Sequence, residues 1–489
     1  MVVIRVITLC LLTSSLFASE IHLIYPRLEA GQDTFRYERS LDSTFILGHI
    51  TEYRPTMSLT CEGVVIPLTS DGAFLAYLPI PWYSETFGWN LTLTNGGVET
   101  SKLFFAFSPT SANVEPAWHV LPEPASFVVK QRNTHTRTAV GGSYHLFPDS
   151  GTVLKVIATS DLWLKFVLAD EWTGVIERRF TDSLFTKLHL PERIRLGNGE
   201  IAVKAESVKI AFDVQRQPLF ETAVEADGNE INLTLFGTTA SLDRIRYIGQ
   251  ARDFVQDVTW SQRAHGVDIA ILLAEPTLHG FSLETTDSSL TLNIFNRKYA
   301  TKTLRGKRIA LDPGHGGVAD GAIGPLGNKE KDVVLRWSEI LEKELTSYGA
   351  IVLRTRTDDT AIGLHDRVKL ARNFNADVFL SLHGNALSDG ENPFERRGCG
   401  TYYYQSLSRG LAETIQNAVL AKTGLHDDGI SDANFAVVRP TDFPAVLIEA
   451  AFMMHPDEEL KLTDEKFLLD LSRGVANGLL DFFSTAPAR

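Results

Sequence analysis

Cysteine is scarce, with three in 489 residues. Cys10 lies in an apolar stretch at the amino terminus, and Leu9 is too bulky to precede a lipidated cysteine. Cys61 and Cys399 are far apart in the chain, so no disulfide framework follows from them. Positive charge is also short: 47 Lys and Arg stand against 60 Asp and Glu, a net charge of -13. That argues against a nucleic acid held by phosphate neutralisation and predicts no such partner; a weakly anionic polymer stays compatible. Past the amino terminus no apolar run reaches the roughly 18 residues that a membrane-spanning helix needs. With 44% apolar and 22% charged residues, large-scale disorder is excluded as well.

The first residues, "MVVIRVITLCLLTSSLFASE", combine a positive flank at Arg5, a short apolar core and a small residue at Ala18. Residues 1–18 thus read as a signal peptide. The expectation is an exported chain without a transmembrane segment, periplasmic or associated with a cell wall. The length suggests about three or four domains.

Residues 20–107 alternate apolar and polar positions between turns such as Asp71-Gly72 and Asn95-Gly96, the pattern of an all-β, immunoglobulin-like sandwich. Residues 108–132 are richer in Pro and Ser and read as a linker. Short strands over 133–182 resemble a Src-homology-3-like barrel. A β-rich run over 195–300 resembles the targeting domains that precede cell-wall amidases. From residue 303 to 486 strands alternate with helices, expected at 331–348, 365–374, 408–423 and 465–483, which predicts an α/β domain with a mostly parallel or mixed sheet. The fold class is therefore multidomain, with all-β domains leading into a carboxyl-terminal α/β domain.

Within that last domain, "LDPGHGG" ends a buried strand in a glycine-rich turn carrying His315. Glu330 opens the next helix, and His383 closes the strand "ADVFLSLH". Each histidine alone also reads as a turn hydrogen bond or a helix cap. Together, two imidazoles and a carboxylate at element boundaries form the ligand set of one hydrolytic zinc, which keeps a position open for water. Glu449 interrupts the apolar run "PAVLIEAAF". A carboxylate is costly to bury there without compensation, so it reads as a general base beside a metal-activated water, or as a strand end paired with a cation such as Arg439.

The four blocks "LDPGHGG", "GNKEKDVVL", "ADVFLSLHGNA" and "PAVLIEAAFMMHPDEE", in this order, resemble the signatures of zinc-dependent N-acetylmuramoyl-L-alanine amidases. The resemblance implies a phosphorylase/hydrolase-like fold, one zinc on His315, Glu330 and His383, and Glu449 as the catalytic carboxylate. Peptidoglycan would be the substrate, cut between the lactyl group of N-acetylmuramic acid and L-alanine. Arg367 falls at the place of a recurrent arginine. Arg439 is a weaker candidate for a substrate carboxylate or the oxyanion; Asp312 and Asn385 are candidates to orient the ligands or contact substrate. The amino-terminal domains would engage the wall or a division-site protein. Two departures stand out: Gly384 replaces the commoner alanine, and Ala450 to Pro456 replaces the usual block after the carboxylate. Gly384 to Arg397 is too short for an inhibitory helix of several turns, which predicts an accessible site. A catalytically inactive peptidoglycan-binding protein and a zinc peptidase acting on stem peptides are the competing readings.

Overall fold

A computed structural model describes residues 19–27, 34–37, 41–80, 87–109, 115–131, 134–169, 172–184, 193–204, 207–225, 228–274, 278–295 and 302–485. The segment read as a signal peptide lies outside these. Among the described residues no helix is long and apolar enough to cross a membrane.

Alternating side chains drive the first unit to bury one face of each strand. A three-stranded sheet (Ile21–Tyr25, Ser43–Ile50, Ala73–Pro79) packs on a five-stranded one, with Ile46, Leu59, Phe74, Leu91 and Leu93 fully buried between them. The Asn95-Gly96 turn closes a hairpin of Phe87–Asn95 with Val98–Pro109. The second unit is a five-stranded antiparallel sheet. It corrects the linker expectation: His119–Val129 is a strand of this sheet, paired with Val153–Thr159 and Thr181–Ser183. Pro122 and Pro124 hid it, because proline removes a ladder donor and is found at irregular or edge positions. The third unit packs a six-stranded sheet on a four-stranded one, its strands running from Ile194–Val203 to Ser289–Phe295.

The last unit contains β1 (Arg308–Pro313), α1 (Glu330–Ser347), β2 (Ile351–Arg354), α2 (Leu364–Asn373), β3 (Val378–Asn385), β4 (Cys399–Tyr403), α3 (Arg409–Thr423), β5 (Asp427–Asp432), β6 (Ala445–Phe452), α4 (Pro456–Thr463) and α5 (Glu465–Thr485). The sheet order is β2-β1-β3-β6-β4-β5. It is parallel except where β4 meets β6, as expected for a mixed sheet. Helix α4 and strand β5 lie beyond the sequence-based expectations. Helices α1, α3 and α5 cover one face through Trp337, Leu341, Ile415, Leu471 and Val475. The other face packs Phe379, Leu447 and Phe443 under α2.

The β units are seated on this domain. Phe45, Leu47 and Leu75 of the first unit share a buried cluster with Leu387, Phe452 and Met454. Around it, Tyr77 Oη donates to Gly390 O at 3.0 Å and Tyr25 Oη to Asp389. His49 Nδ1 lies 2.8 Å from Pro325 O. Asn434 donates to Tyr144 O of the second unit at 3.0 Å. Phe281 N of the third donates to Thr441 O at 2.7 Å.

Candidate active site

The carboxyl ends of parallel strands are where open α/β sheets collect ligand groups, and three side chains meet there. β1 is buried through Ile309, Ala310 and Leu311, and the chain then turns at His315, held at φ +60°. A left-handed backbone is unfavourable for a residue with a Cβ and marks a position that its surroundings enforce. Those surroundings are two buried arginines. Arg367 donates to Pro313 O at 2.7 Å and to His315 O at 2.5 Å. Arg356 donates to Pro313 O, Gly314 O and Lys331 O at 2.7–2.9 Å.

Glu330 is the first residue of α1. The buried stripe Val334, Trp337, Leu341 and Leu345 follows helical spacing, and Glu330 continues it, which turns its carboxylate into the protein. Its Oε1 lies 2.8 Å from His383 Nδ1 and 3.0 Å from His315 Nε2. Gly384 N donates to the same oxygen at 3.1 Å and Ala322 N to Oε2 at 2.7 Å. One ligand atom from each of His315, Glu330 and His383 falls within 4.8 Å of the other two. Burial would raise the Glu330 carboxyl, but hydrogen bonds from the two histidines prevail and hold it well below the usual carboxylate range. Burial likewise would lower His383, and Glu330 instead lifts it to about 9.

These residues fit a single divalent cation. Two imidazole nitrogens and one carboxylate oxygen converge, and the donor set is that of zinc. Close packing preserves the cradle: a Cβ on Gly314 would lie 2.3 Å from the His383 ring. On Gly321, which itself has φ +73°, a Cβ would lie 2.4 Å from Glu330 and 2.8 Å from His315. His315 and His383 remain 28% and 18% exposed while Glu330 is 5% exposed, so the cluster opens to solvent from the histidine side. No helix occupies the segment from Gly384 to Arg397.

Glu449 stands beside His383, its register partner across β3 and β6. Burial raises its carboxyl to about 8, and Oε2 is shut off from solvent without a hydrogen-bond partner. Asp312 is buried, and its hydrogen-bond partners include no histidine. It accepts from Thr355 (2.6 Å), Arg367 (2.8 Å) and Ser381 (2.8 Å), and so acts on the His315 turn through Arg367. Removing one member of such a buried ion pair strands the other's charge, at a cost of about 3–5 kcal/mol. Arg367→Ala should therefore lower the thermal unfolding midpoint clearly and weaken metal binding, read by calorimetry and by metal titration.

Arg439 is placed elsewhere. Its guanidinium donates to Asn434 and lies over the rings of Tyr144 and Phe147, 4.9 and 4.1 Å from their centroids. It ties the second β unit to this domain, and its ring and hydrogen-bond partners include none of the site residues. The side chain of Asn385 lies at the end of β3, its Nδ2 buried without a partner. The two departures in the motifs meet in space: a Cβ on Gly384 would lie 2.9 Å from Met453 Cγ, so the glycine makes room for the methionine.

Sequence reasoning missed the supports. Besides Arg356, these are Glu458 and Glu459 at the start of α4. Glu459 accepts from Leu326 N, Asn328 N and Asn328 Nδ2 at 2.9–3.2 Å, pinning the loop between His315 and Glu330. Glu458 accepts from Phe452 N and Gly398 N. The signal available was "HPDEE", a proline at a helix start followed by acids.

A model of the N-acetylmuramoyl-L-alanine amidase family matches residues 309–481. The probable cell wall amidase LytH of Staphylococcus epidermidis is 33% identical over 192 residues, which is 39% of this chain and 63% of the relative. LytH of Staphylococcus aureus is 35% identical over 183 residues, 37% of this chain and 60% of the relative. The chain thus spans less than two thirds of these curated relatives. Among solved structures, the catalytic domain of CwlV, an N-acetylmuramoyl-L-alanine amidase from Bacillus (Paenibacillus) polymyxa var. colistinus, is 36% identical. That match covers 36% of this chain and 97% of CwlV, with a TM-score of 0.34. An N-acetylmuramoyl-L-alanine amidase from Clostridium difficile 630 is 35% identical, over 37% of this chain and 100% of that one, with a TM-score of 0.36. The order of the four motifs and the match of the family model lead to one assignment: residues 309–481 are a domain of the N-acetylmuramoyl-L-alanine amidase family.

Proposed function

We propose that the chain hydrolyses peptidoglycan at the amide joining the lactyl group of N-acetylmuramic acid to L-alanine of the stem peptide, with one zinc ion held by His315, Glu330 and His383. The observation that carries this reading is the convergence of those three ligand atoms within 4.8 Å, with Glu449 as the register partner of His383. Bound there, the ion supplies Lewis-acid polarisation of the amide carbonyl and a water of lowered pKa.

The remaining chemistry belongs to the chain. Glu449 takes a proton from the attacking water and returns it to the amide nitrogen as the C–N bond breaks. The products are a lactyl carboxylic acid on the glycan and a free amino group on L-alanine. Glu330 fixes the orientation of both imidazoles, and Arg367, Arg356 and Asp312 hold the His315 turn from behind.

The amino-terminal units are read as an immunoglobulin-like sandwich, a Src-homology-3-like barrel and an amidase-type targeting domain. They would place the catalytic domain on the wall or against a division-site protein, in an exported protein that is periplasmic or wall-associated. Purified peptidoglycan digested by the full chain and separated into muropeptides tests the activity. Free lactyl ends with intact stem peptides are expected, and a chelator should abolish them. Shortened peptides would identify a peptidase instead; zinc-free protein that binds sacculi without releasing product would identify a passive wall binder.

A further inference from the structure

Two polar atoms beside the metal-ligating cluster lack partners, and their chemistries are complementary. Asn385 Nδ2 is a buried donor without an acceptor, and Glu449 Oε2 is a buried acceptor without a donor. Leaving such a group unpaired costs about 1–3 kcal/mol, and each one asks for an explanation.

The strand register brings them together. His383 pairs with Glu449 and Asn385 with Phe452, so the extra residue of this bulge lies in β6 while β3 keeps its alternation. His383 and Asn385 therefore project from the same face of β3. Phe379 of β3 and Ala445 and Leu447 of β6 pack in one cluster, which puts Glu449 on that face too. Asn385 is thus a diagonal neighbour of Glu449 across adjacent strands, about 7 Å further along β3 than His383. This spacing is within reach of two side chains that lean towards each other.

Other neighbours do not supply the donor. Gly400, the register partner of Glu449 on β4, has no side chain. Asp428, whose Oδ2 lies 3.2 Å from where a Gly400 Cβ would sit, is a carboxylate already held by Arg396 at 2.6 and 3.1 Å. The His383 ring is engaged by Glu330.

We propose that Asn385 is a positioning residue for Glu449: its Nδ2 donates to Glu449 Oε2 in the substrate-filled site and leaves Oε1 to face the attacking water. This rests on the hydrolytic reading above. The test uses the zinc-loaded full chain and a soluble muramyl peptide. Asn385→Ala should lower kcat about 10–100-fold, the usual effect of losing an outer-shell partner, with KM and zinc per chain unchanged. Asn385→Gln, which keeps an amide donor, should recover part of kcat. Asn385→Asp, which sets a second carboxylate against Glu449, should fall below Asn385→Ala. A readout without turnover is calorimetric affinity for the muramyl peptide, expected to be equal in Glu449→Gln and in Glu449→Gln with Asn385→Ala. Unchanged kcat, a raised KM with kcat retained, lost affinity or lost zinc would each overturn the assignment. Wild type that leaves the lactyl–alanine amide intact sinks the hydrolytic reading before any variant is compared; active wild type with unaffected Asn385 variants sinks this inference alone.

Discussion

Glu449→Gln keeps its zinc and loses turnover: this is the expected result for a carboxylate that handles protons without binding the metal. The substitution preserves size and shape while removing the basic oxygen, so packing against β4 and β3 is retained. Positioned general acid–base groups contribute about 10²–10⁴-fold, and kcat should fall by that factor. Zinc per chain, measured by mass spectrometry, should match wild type, because the proposed ligands are His315, Glu330 and His383. Burial, reinforced by the Glu330 and Asp428 carboxylates, pushes the Glu449 carboxyl up to about 8; a cation held by the triad would favour its charged form and so ready the base. A variant keeping more than about a tenth of wild-type kcat would remove Glu449 from the mechanism.

The second large effect is expected at Glu330. It is the hub of the site, since both imidazoles and two backbone amides converge on its carboxylate. Glu330→Gln removes the one negative charge among the three proposed ligands and turns half of the carboxylate into a donor facing other donors. Even outer-shell losses cost metal sites about 10–100-fold; a ligand loss should exceed this in both zinc affinity and turnover. Differential scanning separates the metal effect from simple damage. Zinc at about 100 times Kd stabilises a binding-competent fold by about 2.7 kcal/mol, so wild type should melt higher with added zinc. Glu330→Gln should melt at one temperature with or without it. A zinc-dependent shift of wild-type size in this variant would place the metal elsewhere.

The parts of the site legible in the sequence share one property: each polar residue interrupts an apolar pattern. His383 falls near the end of a strand whose preceding residues are buried, Glu449 breaks the run between Ile448 and Ala450, and Glu330 falls on the apolar stripe of α1. Such interruptions are visible because burying a polar group needs compensation. The supports were invisible for the converse reason. Arg356, Glu458 and Glu459 sit in charged local sequence, "TRTDD" and "HPDEE", that reads as solvated surface, and only tertiary contacts bury them. Arg439 is the opposite case: its sequence position before β6 made it a weaker candidate for the site, whereas its guanidinium lies with Asn434, Tyr144 and Phe147. Strand His119–Val129 was missed because local proline signals outweighed a pairing set by residues some 30 positions away.

The seat of the first β unit on the α/β domain bears on how the chain comes apart. Leu387, Phe452 and Met454 belong to segments that follow His383 and Glu449, yet they share one buried cluster with Phe45, Leu47 and Leu75. A boundary that is clean along the chain is thus not a boundary in energy. Excising residues 302–485 would leave three large side chains facing water beside the catalytic edge, and calorimetry of the whole protein should record fewer melting steps than it has folded units.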